Sequence, residues 1–129
     1  MYLPISLGAA SAAAFLNLWL SLRIGMVRQA KKISIGDGGD EELIRRMRAQ
    51  ANFIENTPIA LILIAVIEAS RPANLWLAGI AAAYIIARIA HGVGMDGGVF
   101  RVGRSIGTMI TMVTLLGLAV WAATIAIDM

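Results

Sequence analysis

Two long stretches of this sequence contain no charged residue, and they restrict the possible folds more than any other feature. The first runs from Leu3 to Leu22, and the second runs from Ile106 to Ile127. A helix of roughly 20 apolar residues is long enough to cross the hydrocarbon core of a bilayer, which is about 30 Å thick. Each stretch is therefore predicted to form a transmembrane helix.

Two shorter apolar segments lie between these stretches. One runs from Thr57 to Ile67 and is extended backwards by residues 48–56, and the other runs from Ala73 to Ala87. With 59% hydrophobic residues, 15% charged residues and a mean hydropathy of +0.78, the chain is too apolar for a soluble domain of its size. Four spans with short connections use all 129 residues. The prediction is an all-α integral membrane protein, a bundle of four transmembrane helices in a single domain, residues 1–129.

The first apolar stretch is predicted to be a retained helix rather than a cleaved signal peptide. No Lys or Arg precedes it, and it continues through Phe15, Trp19 and Leu22 beyond any plausible cleavage site. The chain contains no cysteine. A disulfide, a thiolate nucleophile and a Cys-ligated metal are therefore excluded, and any sulfur chemistry must come from a ligand.

The basic residues predict the orientation of the helices. Of the 11 Lys and Arg residues, all except Arg71 lie around the first and third connections. These two connections share one side of a four-span protein, and positive charge marks the cytoplasmic side. Asp37 and Gly97 are therefore predicted to be cytoplasmic, with Met1 and Met129 in the periplasm. The basic residues form no soluble patch interleaved with aromatic residues, so nucleic acid is not an expected partner.

The connections contain residues that are typical of turns and helix ends. The first holds Gly36-Asp37-Gly38-Gly39, followed by Asp40 as a predicted N-cap. Its glycines are interpreted as a turn and not as a phosphate-binding loop, because the Lys and Ser/Thr of a P-loop are missing. The predicted breaks in the second and third connections are Pro72 with Asn74, and Asp96-Gly97-Gly98.

Polar residues recur at helical spacing inside the predicted helices. Arg48, Asn52 and Glu55 follow i, i+4 and i+7, so they share one face of the second helix. The third helix has a similar stripe of Tyr84, Arg88, His91 and Met95. The fourth has Arg104, Thr108 and Thr111, with Ser105 beside them, and the first has Asn17, Ser21 and Arg28. Lipid cannot satisfy such groups, so each stripe must face another helix or a neighbouring subunit.

Two interpretations of the stripes remain open from spacing alone. In the first they hold the helices together, with Glu55 paired to Arg48 or Arg88 and Asn52 bonded to a backbone carbonyl. In the second the excess of cations over the single acid at that depth forms a site for an anionic ligand. A single histidine, His91, excludes a bis-His haem or a His-cluster metal site within one chain, and leaves a hydrogen-bonded packing role open.

The run from Arg48 to Pro58, RAQANFIENTP, resembles the signature of the MAPEG family, the membrane-associated proteins in eicosanoid and glutathione metabolism. The matched elements are Arg48, Asn52, Glu55 and Pro58, and the resemblance covers nearly the whole chain. Residues 88–91 near the end of the third helix and residues 104–105 at the start of the fourth agree with it. The segments 36–39 and 91–96 look most like the small bacterial branch of the family, which implies the bacterial inner membrane.

The resemblance implies a homotrimer that binds glutathione between neighbouring subunits, without a metal. The glutathione-binding residues that it implies are Arg28, Arg48, Asn52, Glu55, Arg88 and His91. Arg104 corresponds to the family's thiolate stabiliser, and Ser105 lies beside it as a second catalytic candidate. Glu55 would bind the glutathione ammonium, and guanidinium groups would bind its carboxylates. The implied reaction is conjugation to an apolar electrophile, or peroxide reduction, with the electrophile arriving from the bilayer along the third and fourth helices.

Two alternatives to this activity remain. Many active members of the family have tyrosines where this chain has Asn56 and Met95, so a non-catalytic membrane subunit with structural polar stripes stays open. A small multidrug exporter of four helices would normally need a carboxylate in its first helix. The stretch from Leu3 to Leu22 contains none, which disfavours this class.

Overall fold

The structure, a computed structural model, describes residues 2–72 and 74–129. These residues form four α-helices without any strand: α1 (Pro4–Lys31), α2 (Glu41–Ser70), α3 (Leu75–Gly94) and α4 (Val102–Ile127). A short 3-10 turn, Gly98–Arg101, precedes α4. Each of the four helices is long and apolar enough to cross a membrane. The prediction of an all-α membrane protein with four transmembrane helices is confirmed.

The helices are longer than the apolar stretches that predicted them. The first continues past Leu22 to Lys31, and α2 begins at Glu41, several residues before the apolar run. Both extensions lie at the end of the bundle where the basic residues gather. Lys, Arg and Glu favour the helix, so charged residues can continue it beyond the apolar region. Two expectations lie outside the described residues: the periplasmic position of Met1 and the start of the third span at Ala73.

Side-chain caps define the beginnings of α2 and α3. The Asp40 carboxylate accepts a hydrogen bond from the backbone N–H of Leu43 at 2.9 Å, which confirms the predicted N-cap. Asn74 caps α3 in the same way, with 2.9 Å between its Oδ1 and the N–H of Leu77. The Lys31 ammonium lies 2.6 Å from the Asp40 carboxylate, and this hydrogen bond holds the pKa of Asp40 below its ordinary value.

The end of the bundle opposite the basic residues is closed by a buried glutamate. Glu68 of α2 is only 5% exposed. Its carboxylate accepts hydrogen bonds from the N–H groups of Ile5 and Ser6 at 2.9 and 2.8 Å, and from the Ser6 hydroxyl at 2.5 Å. The first N–H groups of a helix have no partner within it and carry partial positive charge. Glu68 therefore caps α1 from the neighbouring helix and joins the two.

Glycines bring α3 and α4 into backbone contact. A Cβ atom added to Gly107 would lie 2.5 Å from the carbonyl oxygen of Ala87 and 2.7 Å from the Cβ of His91. One added to Gly103 would lie 2.6 Å from the carbonyl oxygen of Ala90. Small residues allow membrane helices to approach closely in this way. The contact fixes the first turns of α4 against the last turns of α3, where half of the candidate site residues lie.

Candidate functional site

A buried polar cluster joins α2, α3 and α4, and Arg88 lies at its centre with 1% of its surface exposed. Its Nη2 donates to Oδ1 of Asn52 at 2.7 Å, and its Nη1 donates to Oγ1 of Thr111 at 3.2 Å. Nδ1 of His91 lies 3.5 Å from Nη2, and this histidine is 4% exposed. The resemblance placed Arg88 and His91 on the ligand, and the structure places both in the interior of the subunit.

Arg88 determines the orientation of the Asn52 amide. A guanidinium can only donate hydrogen bonds, so the oxygen of Asn52 points to Arg88 and its NH₂ group points away. The structural interpretation of the stripes was therefore wrong about the partner, because the Asn52 side chain bonds to Arg88 and, among the described residues, to no backbone carbonyl. The amide of Asn56 donates to the backbone oxygen of Asn52 at 2.8 Å, within the same helix.

The other two residues of the α2 stripe lie on the surface of the subunit. Arg48 and Glu55 are exposed, and Asn52 between them is partly buried. The expected pairing of Glu55 with Arg48 or Arg88 is wrong for residues 2–72 and 74–129, whose ion pairs include none of the three. Glu55 lies near the middle of α2, where an ionised group facing lipid costs several kcal/mol. This surface therefore needs a polar covering.

An open cleft of about 510 Å³ lies at the basic end of the bundle, between α2, the end of α3 and the start of α4. We call it the arginine cleft, because every charged residue that lines it is an arginine: Arg45, Arg101 and Arg104. Ser105, Met95 and Val102 also line it. The two predicted catalytic residues, Arg104 and Ser105, thus share an accessible cavity.

The positive charge of the arginine cleft is only partly neutralised. Arg45 approaches the Glu41 carboxylate at 3.4 Å, and its Nη1 donates to the backbone oxygen of Asp96 at 3.4 Å. The carboxylate of Asp96 is bound instead by Arg23. Within the part of the chain that the structure describes, neither of the other two cleft arginines forms an ion pair. The cleft is therefore suited to an anion.

Arg28, the candidate from α1, is bound to the loop that follows its own helix. Its Nη1 donates to the carbonyl oxygen of Gly36 at 2.7 Å and to that of Ile33 at 3.4 Å. Its Nη2 lies 3.6 Å from the sulfur of Met47 in α2. In this subunit Arg28 therefore holds the first connection against α2.

Sequence analysis missed two residues of the arginine cleft. Arg45 and Arg101 were used only to orient the helices, although Arg45 lies one turn before Arg48 on α2. The contact that shapes the cleft also had a sequence signal. Gly103 and Gly107 have the GxxxG spacing that marks close helix packing in membranes.

Comparison with known proteins agrees with the fold and with the α2 signature. The MAPEG family model matches residues 6–124. The chain is 32% identical over 105 residues to the inner membrane protein YecN of Escherichia coli strain K12. The aligned residues cover 81% of this chain and 79% of that protein. The same identity and coverage are found with YecN of Escherichia coli O6:H1.

Proposed function

Because the chain belongs to the MAPEG family of membrane proteins, we propose that it is a membrane-bound enzyme that uses glutathione to conjugate or reduce an apolar electrophile. The observation that carries the proposal is the arginine cleft, in which Arg104 and Ser105 are accessible together. A thiol of pKa about 8.5 or above is mostly protonated at neutral pH, and a guanidinium beside it favours the thiolate. Arg104 would stabilise that thiolate, and Ser105 would donate a hydrogen bond to it.

The α2 stripe would bind the ionic groups of glutathione. In the proposed site Glu55 accepts from the ammonium, and Arg48 donates to a carboxylate. The NH₂ group of Asn52 donates to the ligand, since its oxygen is held by Arg88. Arg88 and His91 then act as positioning residues, and Arg28 supports the first connection. During conjugation the thiol proton passes to water, and the thiolate sulfur forms a bond to the electrophilic carbon. The bond that breaks at this carbon leaves its electron pair on the departing group or, in an addition or ring opening, on a substrate atom that then takes a proton from water.

The proposed assembly is a homotrimer with each site between two subunits. This arrangement is supported by the exposure of Arg48 and Glu55 on a membrane-spanning helix, because a neighbouring subunit would cover them. The apolar electrophile would enter from the bilayer along α3 and α4.

The proposed location is the bacterial inner membrane, with the basic end of the bundle in the cytoplasm. The support is the distribution of basic residues and the likeness to an inner membrane protein. The chain has no cysteine, so single cysteines at positions 37 and 129 can be compared directly. An impermeant thiol reagent applied to intact spheroplasts should label position 129 and spare position 37. The opposite labelling would contradict the orientation.

Glutathione binding by purified trimers tests the proposed function. Glu55→Gln should weaken binding by about 2–5 kcal/mol, because the ammonium loses its buried partner. The control is Glu42→Gln, at the exposed first turn of the same helix. Native mass spectrometry reports the trimer and isothermal titration reports the binding. A dominant monomer or dimer across mild detergents would contradict the site between subunits.

The second candidate function is that of a non-catalytic membrane subunit. It is favoured by Asn56, which stands where many active relatives have a tyrosine and whose amide bonds to its own helix. This alternative predicts that wild-type trimers bind no glutathione while remaining assembled. That result would reject the enzymatic proposal and leave the fold and family unchanged.

A further inference from the structure

One face of α4 presents a continuous apolar stripe to the outside of the subunit. Its members recur every three or four residues, and their exposed fractions lie between 44% and 67%. We call this the α4 stripe: Val102, Ile106, Met109, Val113, Leu116 and Val120. At 1.5 Å per residue it extends about 27 Å, close to the thickness of the hydrocarbon core.

The α4 stripe begins at the arginine cleft, since Val102 belongs to both. The preceding turn adds further apolar surface, because Val99 and Phe100 are 90% and 68% exposed. A cavity lined by three arginines is therefore continuous with a strip of apolar side chains on a membrane-spanning helix. This is the surface of a site for an amphipathic anion, with its charge in the cleft and its chain along the helix.

We propose that the arginine cleft binds the phosphate headgroup of an anionic membrane phospholipid, with an acyl chain on the first turns of the α4 stripe. Guanidinium groups bind phosphate oxygens through paired hydrogen bonds, and Arg101 and Arg104 have no carboxylate partner among the described residues. Ser105 supplies an additional donor. Basic pockets at the end of a membrane bundle bind the anionic headgroups of the bilayer surface.

The geometry favours a phospholipid over the other possible occupants. A free phosphate ion would use the cleft alone and make no contact with the α4 stripe. A lipid of neutral headgroup would match the stripe and not the cleft. An anionic phospholipid matches both parts.

Binding of the lipid would also regulate the proposed enzyme. Arg104 lines the cleft, and it is the group proposed to stabilise the glutathione thiolate. A headgroup on Arg104 therefore competes with glutathione for the same guanidinium. This competition rests on the proposed function, whereas the lipid site itself does not.

The first experiment compares phosphatidylglycerol with phosphatidylcholine of identical acyl chains, without glutathione. Purified protein in detergent should retain phosphatidylglycerol at least tenfold more tightly, measured as bound lipid by native mass spectrometry. Arg101→Gln should reduce this preference by roughly tenfold, because it removes one charged donor. The matched control, Arg71→Gln, alters an arginine at the opposite end of α2 and should leave the preference unchanged. If Arg101→Gln fails to fold, Arg101→Lys, which retains the charge, replaces it in this experiment.

The second experiment separates a lipid from a phosphate ion. Ile106→Gln should weaken phosphatidylglycerol binding severalfold and leave the effect of inorganic phosphate unchanged. Equal retention of both lipids by the wild type would overturn the proposal. So would inorganic phosphate raising the melting temperature as much as phosphatidylglycerol does. Failure of glutathione to bind in a parallel titration would reject the proposed enzyme without affecting the lipid preference, so the two failures are distinguishable.

Discussion

Arg88 and Arg104 belong to polar stripes of the same kind on adjacent helices, yet the structure gives them opposite surroundings. Arg88 is 1% exposed and donates to Asn52 and Thr111, on two other helices. Arg104 is exposed in an open cleft beside Arg101 and Ser105. Helical spacing shows that a polar residue must face something other than lipid. It does not show whether that partner is the protein interior or a ligand.

The contact between α3 and α4 produces this difference. Gly103 and Gly107 let the two backbones touch, and the side chains that project between the helices become buried. The residues at the very start of α4 lie beyond the enclosed part of the contact, next to the turn Gly98–Arg101. Around this one contact, α2, α3 and α4 therefore form a closed polar cluster and, within a few turns, an open cationic cleft.

The largest expected effect is obtained by separating α3 from α4. Gly107→Leu places a side chain where a Cβ alone would be 2.5 Å from the carbonyl oxygen of Ala87, so the helices must move apart. We expect a loss of about 3 kcal/mol or more, because two backbones must move apart, and it should be seen as a lower melting temperature in detergent. Gly117→Leu is the control on the same helix, because nothing lies within 4 Å of an added Cβ there. Equal melting temperatures for the two variants would refute the close contact.

The second effect distinguishes the two arginines by stability. Arg88→Met removes the donor of the buried Thr111 Oγ1 and of the partly buried Asn52 Oδ1, and we expect it to cost about 1–3 kcal/mol of stability in all. Arg104→Met alters an exposed residue and should change stability by no more than about 0.5 kcal/mol. Thermal unfolding followed by circular dichroism measures both. If the Arg104 variant is the less stable one, the placement of Arg88 in the interior and of Arg104 in the open cleft is wrong.

The substitution Arg104→Ala should change stability least, and its main effect should be on the ionisation of the bound thiol. Arg104→Ala should leave glutathione binding largely intact and raise the pKa of the bound thiol, so the ultraviolet thiolate band at neutral pH is lost. Arg104→Lys should restore part of the band, because the charge is retained. Arg71→Ala, at the opposite end of the bundle, controls for net charge. A band that persists in the Ala variant would remove Arg104 from the proposed mechanism.

Several features of the fold were predictable because they depend on local sequence. The uncharged runs predicted the four helices, and Asp40 was correctly expected to cap α2. The Asn52 partner could not be predicted, because Arg88 lies 36 residues away and many polar groups compete for an amide. The capping of α1 by Glu68 was missed for the same reason, since 63 residues separate Glu68 from Ile5.

By itself the sequence determined that this chain is a membrane protein of four helices with a MAPEG signature, because apolar length and residue spacing are properties of a single helix. The tertiary structure decided which arginines are enclosed and which remain open. It brought Arg45 of α2 to Arg101 and Arg104 at the start of α4, and it buried Arg88 among three helices. Those relationships depend on how closely helices pack. That distance is set by glycine contacts between helices, and the GxxxG spacing on one helix does not show which helix it contacts.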